Sequence, residues 1–391
     1  MKKTWLTTWI LLLGLGLFGF EPADVVYDDC KALQEARCDQ YRAEGAGQAR
    51  NVILMIGDGM GLNQIYAARV KANGPQQPLA LESLPHRGLA TTCSLSGTTD
   101  SAAAGTALAT GHKAVNKDIS LSPQGEKWQT VLELAEQLGK RTGLVTTVDI
   151  TDATPAVFAA HVPARADHIA VAADYFRLTK PNLLLGGGKD QFTPDLLKQA
   201  QLDGYHMVYT LAELEKLDPA KIERVLGLFA AMNLNYELSS KPNPQAPHLH
   251  QMAEFALHQL EPGPNGFFLM IEGGRIDHAC HAGDLEKAIG ETLEFERTVA
   301  LVLAWMKGRT DTLLVITADH ETGGLTVEKQ DYRKGDTVKA RFTTKLPGFP
   351  AAHSKQEVEV FAEGPNAAAV KAHQDNTAVS CIVREAMTPK Q

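Results

Sequence analysis

Five runs of this chain are apolar or β-branched without interruption, and they restrict the fold more than any other feature. They are Asn51-Val52-Ile53-Leu54-Met55-Ile56, residues 142–148, Asn182-Leu183-Leu184-Leu185, Phe267-Phe268-Leu269-Met270-Ile271 and Thr312-Leu313-Leu314-Val315-Ile316-Thr317. A strand with one wet face alternates polar with apolar residues, so a strand without alternation is covered on both faces. Amphipathic stretches separate the runs; in one, Leu285, Ile289, Phe295, Val299, Val302 and Trp305 mark one face of a helix whose other face is charged. The expectation is an α/β fold, a mainly parallel central sheet flanked by helices on both faces. Residues 242–247 and 330–350 read as loops, and no internal repeat is visible.

Open sheets of this kind bind ligands beyond the carboxyl ends of their strands. Those positions are chemically loaded. Asp58 follows the first run, Asp149 and Asp152 the second, Glu272 the fourth, and Asp319-His320 the fifth. In Gly57-Asp58-Gly59-Met60-Gly61 the spacing is G-x-G-x-G rather than the dinucleotide-binding G-x-G-x-x-G, and an aspartate inside the turn would repel a pyrophosphate. The functional reading is a carboxylate offered to a metal on a tight turn; the plain one is a turn aspartate bonded to its own backbone.

Residues 272–281 hold two carboxylates, Glu272 and Asp277, and two histidines, His278 and His281. Asp277 and His281 are spaced i, i+4, so one helical turn brings both to one face and toward one cation, with His278 off that pair. Four ionisable groups clustered after a buried strand are costly without a cation or partners. Asp319 and His320 can ligate one metal together only where the strand has stopped alternating. His353, in a loop, says little by itself.

Residues 98–111 place Ser101 before an alanine-rich segment with strong helix propensity, and Asp100 is suited to cap it. Ser101 then sits in the first turn, where free N–H groups and the helix dipole favour negative charge. Ser101 thus reads as a nucleophile able to carry a phosphoryl group. The plain alternative is that small residues permit close helix packing.

Taken together, segments 51–61, 99–111, 152–165, 266–281, 317–324 and 353–365 resemble the alkaline phosphatases, over nearly the whole chain from about Asn51 to the final helix. The resemblance implies hydrolysis of small phosphate monoesters through a phosphoserine on Ser101, at a site of two zinc ions and one magnesium ion. Position by position, it implies that Asp277, His281 and His353 hold one zinc. Asp58, Asp319 and His320 would hold the second beside Ser101, and Asp58, Thr154 and Glu272 the magnesium. Imidazole with carboxylate suits zinc, and oxygen ligands suit magnesium. Arg165 matches the family's phosphate-binding arginine, whose fork grips two oxygens at once. Asp152 and His278 fall at outer-shell positions where members differ. The chain is short for the family, which implies small peripheral insertions; a homodimer is left open. A phosphodiesterase of the same superfamily and a non-catalytic phosphate- or metal-binding protein are the alternatives. Many diesterases resemble threonine-nucleophile patterns and sulfatases a modified cysteine or serine, so Ser101 favours the monoesterase.

The remaining features bound the setting. The chain has 391 residues and a net charge of −8 with dispersed Lys and Arg, which leaves no basic footprint for nucleic acid as a specific partner. Residues 1–20, a short basic start and an apolar run, read as a signal peptide or, if uncleaved, an N-terminal membrane anchor; 21–49 read as an N-terminal segment and 50–391 as the catalytic domain. The expected location is periplasmic or extracellular. Of five cysteines, Cys30, Cys38, Cys93, Cys280 and Cys381, at least one is unpaired. Cys30 and Cys38 would stand about 12 Å apart on one continuous helix, too far to bridge without a break.

Overall fold

The computed structural model describes residues 35–389; the leader read over 1–20, and Cys30, lie outside them. Fourteen strands are present among the described residues: β1 (Asn51–Ile56), β2 (His86–Thr91), β3 (Arg141–Asp149), β4 (Leu183–Gly187), β5 (His206–Val208), β6 (Val225–Leu228), β7 (Phe267–Glu272), β8 (Thr312–Thr317), β9 (Glu321–Thr322), β10 (Leu325–Val327), β11 (Ala340–Phe342), β12 (His353–Ser354), β13 (Val358–Glu363) and β14 (His373–Asp375). Ten form one sheet in the order β14-β2-β13-β8-β1-β7-β3-β4-β6-β5. From β8 to β5 every neighbouring pair is parallel. All five uninterrupted runs are strands of this stretch. Every residue of β1, β7 and β8 is buried, because helices cover both faces.

The sheet is wider than the sequence pattern indicates. β13 runs antiparallel to both β8 and β2. Its apolar residues are interrupted by Glu359, which disguises a buried strand as an exposed one. Glu359 is buried and paired with Arg87 of β2 at 2.5 Å, so charge pairing replaces the missing apolar residue. Nor is 330–350 wholly loop, since β11 pairs antiparallel with β10.

The helix Ser101–Thr110 begins where expected: the Asp100 side chain accepts from the Ala103 amide at 3.0 Å. It ends at Gly111 in the left-handed region, at φ 84°. The plain reading of its small residues also holds. A Cβ on Gly105 would stand 2.9 Å from Val157, so close approach of the helix Ala153–Ala159 depends on the glycine.

Cys38 is disulfide-bonded not to its sequence neighbour but to Cys381, 343 residues away on the final helix Thr377–Met387. Cys93 is also disulfide-bonded, and the unpaired cysteine is the buried Cys280. A cross-link closing so long a loop removes much freedom from the unfolded chain. Replacing Cys38 and Cys381 together by serine is therefore expected to lower unfolding free energy by about 2–5 kcal/mol, read from denaturant midpoints. An unchanged midpoint would show that the link constrains nothing. No helix among the described residues is long and apolar enough to cross a membrane.

Candidate active site

Strand register brings the candidate residues to one edge. Ile56, the last residue of β1, lies opposite Glu272 of β7 and Thr317 of β8, and Thr146 of β3 also lies opposite Glu272. Four strands thus level off together, and their exits supply Asp58, Asp152, Glu272, Asp319 and His320.

The first exit is the glycine turn. Gly57 donates its amide to Thr317 O at 2.9 Å, and Met60 closes back on Gly57 O at 3.1 Å. Gly59 has φ 71°, and a Cβ there would stand 2.8 Å from Thr322 Oγ1 and 3.0 Å from Asp277 Cα. Only glycine lets the Asp58 turn approach both elements. The Gly59 amide instead donates to Asp319 Oδ1 at 3.1 Å, linking the first exit to the last.

One group consists of Asp277, His281 and His353, whose ligand atoms lie within 4.8 Å of one another. The helix Arg275–Ala282 carries the first two on one face, as the i, i+4 spacing requires. His353 arrives on β12, which pairs with β9 beside Asp319-His320. His281 donates Nδ1 to Ala351 O, and His353 donates Nδ1 to Thr99 O at 2.9 Å. These bonds turn both Nε2 atoms inward, where they face each other at 3.1 Å and Asp277 at 3.2 and 3.5 Å. A histidine whose outer nitrogen is held by a carbonyl is oriented as metal-ligating histidines are.

The second group is Asp58, Asp319 and His320, also within 4.8 Å. Regular strand ends at Thr317, so alternation has stopped before Asp319 and both side chains turn the same way. His320 Nε2 stands 3.1 Å from Asp319 Oδ2, 3.6 Å from Asp58 Oδ1 and 3.2 Å from Ser101 Oγ. Ser101 is 4 % exposed, the first residue of its helix.

Several buried oxygens here make no hydrogen bond: Asp58 Oδ1, Asp319 Oδ2, Glu272 Oε1 and Thr154 Oγ1. An orphaned oxygen in a dry interior is expensive, and a cation would satisfy each. Burial pushes Asp58 far above the usual carboxylate range, and Asp319, Asp277, Glu272 and Asp152 push it further. Burial likewise raises Glu272 to about 8, opposed by a 2.5 Å hydrogen bond from Thr146 and reinforced by Asp152 and Asp319. The donor set and its unmet oxygens fit two zinc-type sites and one oxygen-rich site.

Arg165, Asp152 and His278 belong to neither group. Arg165 is held by Asp152 at 2.9 Å and by Asp100 at 3.4 Å. Burial would discharge the guanidinium, but Asp152, Asp100 and Asp58 hold it charged. Burial alone would raise Asp152; Arg165, with the Ala153 amide and His278, keeps it below the usual range. His278 Nδ1 meets Arg275 Nη1 at 2.8 Å, and burial lowers its proton affinity.

Two contributions were not visible in the sequence. Thr322 donates Oγ1 to Asp277 Oδ1 at 2.5 Å and lies 3.2 Å from His320 Nδ1, so one hydroxyl joins the two groups. Asp100 is more than a cap, since its carboxylate also reaches Arg165. Thr322 stands two residues beyond His320, a spacing that the local return to strand in β9 explains only once the fold is known.

Comparison with known proteins identifies the family. The alkaline phosphatase family model matches residues 49–345. Alkaline phosphatase 4 of Bacillus subtilis is 37 % identical over 334 residues, covering 82 % of this chain and 71 % of the relative. Streptomycin-6-phosphate phosphatase of Streptomyces griseus is 34 % identical, covering 88 % and 91 %. A solved variant of the alkaline phosphatase from the Antarctic bacterium TAB5, with Mg bound in its M3 site, superposes with a TM-score of 0.77 at 26 % identity, covering 88 % of this chain and 100 % of that one. By sequence, by fold and by the residues gathered at the strand ends, this chain belongs to the alkaline phosphatase family, whose members are phosphoric monoester hydrolases.

Proposed function

We propose that this protein hydrolyses phosphate monoesters with Ser101 as nucleophile, at a site of two zinc ions and one magnesium ion. The observation that carries the reading is the Ser101 hydroxyl, set at a helix N-terminus 3.2 Å from His320 and surrounded by buried carboxylates with unmet oxygens. Asp277, His281 and His353 would hold one zinc, and Asp58, Asp319 and His320 the other. Asp58, Thr154 and Glu272 would hold magnesium, a reading supported by the Mg in the TAB5 relative. Bound there, the ions would supply Lewis-acid stabilisation of charge on the attacking and departing oxygens.

The protein's own groups account for the rest. Ser101 Oγ loses its proton and bonds to phosphorus while the ester oxygen departs on the opposite side and is released as the alcohol. First-turn amides of the helix have no intrahelical acceptor, so Ser101 and Ala102 can donate to the phosphoryl oxygens. Arg165 spans two of those oxygens, and Asp100 and Asp152 fix the plane of its fork. Water then displaces Ser101 Oγ from phosphorus and releases inorganic phosphate. Cys38–Cys381 and the bonded Cys93 support an exported protein, since such links persist in oxidising compartments.

Acid quenching of the metal-loaded enzyme with radiolabelled inorganic phosphate, followed by peptide mapping, tests the reading. Label is expected on Ser101, together with much faster turnover of a monoester than of a diester. Label elsewhere, or preference for the diester, overturns it.

A further inference from the structure

Away from the strand exits, a third set of side chains has metal-ligand chemistry. Glu237, His248 and Glu294 each offer one ligand atom, all within 4.8 Å of one another. They come from three separate places. Glu237 lies on the connection after β6, His248 caps the helix Leu249–Leu260, and Glu294 lies within the long helix Leu285–Met306. His248 Nδ1 stands 2.9 Å from Glu237. Glu294 accepts from both the amide and Nδ1 of His250, at 3.0 and 2.7 Å. The imidazoles of His248 and His250 stack, with centroids 5.6 Å apart and planes 22° apart.

A helix N-terminus repels a bare cation. Here the carboxylate of Glu294, its side chain only 6 % exposed, lies against that terminus and reverses the local sign. A third carboxyl, Glu291, is buried one turn away and accepts the Glu237 amide at 2.7 Å; burial pushes it up to about 8, so it adds little negative charge near neutral pH and the anionic character here rests on Glu237 and Glu294. Two of the three, Glu237 and His248, are open to an incoming ion, while the buried Glu294 lies behind them. A cavity of about 310 Å³ is lined by Glu237 and His248 together with Asn235, Tyr236, Asn243 and Gln251. Imidazole with two carboxylates and one free position for water is a zinc-type donor set.

We propose that Glu237, His248 and Glu294 form a further site for one divalent transition cation of zinc type, which clamps the 229–248 connection to the long helix. Tyr236, next to Glu237, lies 3.7 Å beneath the Arg275 guanidinium, and Arg275 contacts His278.

The test is zinc per chain, measured by mass spectrometry on the holoenzyme after equilibration at low free zinc. Glu237→Gln and His248→Ala are compared with the parent protein, with monoester turnover and Tm recorded alongside. Each variant is expected to hold one zinc fewer and to lose part of the zinc-dependent rise in Tm, with kcat unchanged. Equal zinc in parent and variants overturns the site. So does a zinc loss that tracks activity, because the missing ion would then belong to the strand-end groups. The count is a difference between chains that share those groups, so it stands whether or not Ser101 proves to be the nucleophile.

Discussion

Ser101→Ala is expected to lower turnover of a phosphate monoester by about 10⁴-fold or more while zinc and magnesium contents stay at parent values. Removing a nucleophile costs all the rate gained by splitting one displacement into two, and what survives comes from binding and charge stabilisation alone. The substitution is a clean one. Ser101 Oγ contacts His320 Nε2 at 3.2 Å, and alanine at the first helical position keeps the Asp100 cap and the buried packing of the helix. Stability should therefore change little, and a fall in kcat reports chemistry. Steady-state kinetics with metal analysis of the same sample decides the matter. A fully metallated variant with near-parent turnover would mean that another group, or water directly, attacks phosphorus.

Chelation carries the second large effect, on both rate and fold. Stripping the ions should remove activity, and restoring zinc with magnesium should return it. It should also leave a less stable protein, since a ligand present at about a thousand times its dissociation constant adds roughly 4 kcal/mol per site. The metal-free fold acquires a pH dependence of defined sign. Burial holds the Glu272 carboxyl at about 8, above its ordinary 4.5, and pushes Asp58 upward too. The folded chain then binds a proton that the unfolded chain releases between those values. Metal-free stability is therefore expected to fall as pH rises from about 4.5 towards 8. Calorimetric Tm across that range, with and without ions, is the measurement. Activity indifferent to chelation, or metal-free stability that rises over the same interval, would contradict a site built around cations.

What could be read from the sequence is what short segments determine. Residues 51–56 and 312–317 are strands because their apolar cores, 52–56 and 313–316, leave no wet face, and Asp100-Ser101 starts a helix because the cap and the alanines are adjacent. The pairing of Asp277 with His281 follows from helical spacing alone. Contacts between distant segments carry no such local mark. Glu359 reads as polar until Arg87 is placed opposite it. Cys38 has a near neighbour in sequence, yet its partner is fixed by the docking of the last helix. Thr322 looks like any turn residue until the fold puts its hydroxyl between Asp277 and His320. The resemblance named the candidate ligands; it did not supply the hydroxyl and carbonyls that aim them.

The Cys38–Cys381 bond has a meaning for biosynthesis. The segment it secures meets the final helix at several points: Ala36 donates to Thr377, Arg42 to Glu385 O and Ala49 to Ala386 O. Translation delivers that helix after every described strand of the sheet, so these contacts form only once the strands have been made. Oxidation of this pair consequently follows synthesis of the sheet, and the bond is a covalent record that a chain has been extended past residue 381 and that the segments carrying Cys38 and Cys381 have met. A nascent or truncated product, even one with every strand in place, would betray itself to a thiol reagent at Cys38.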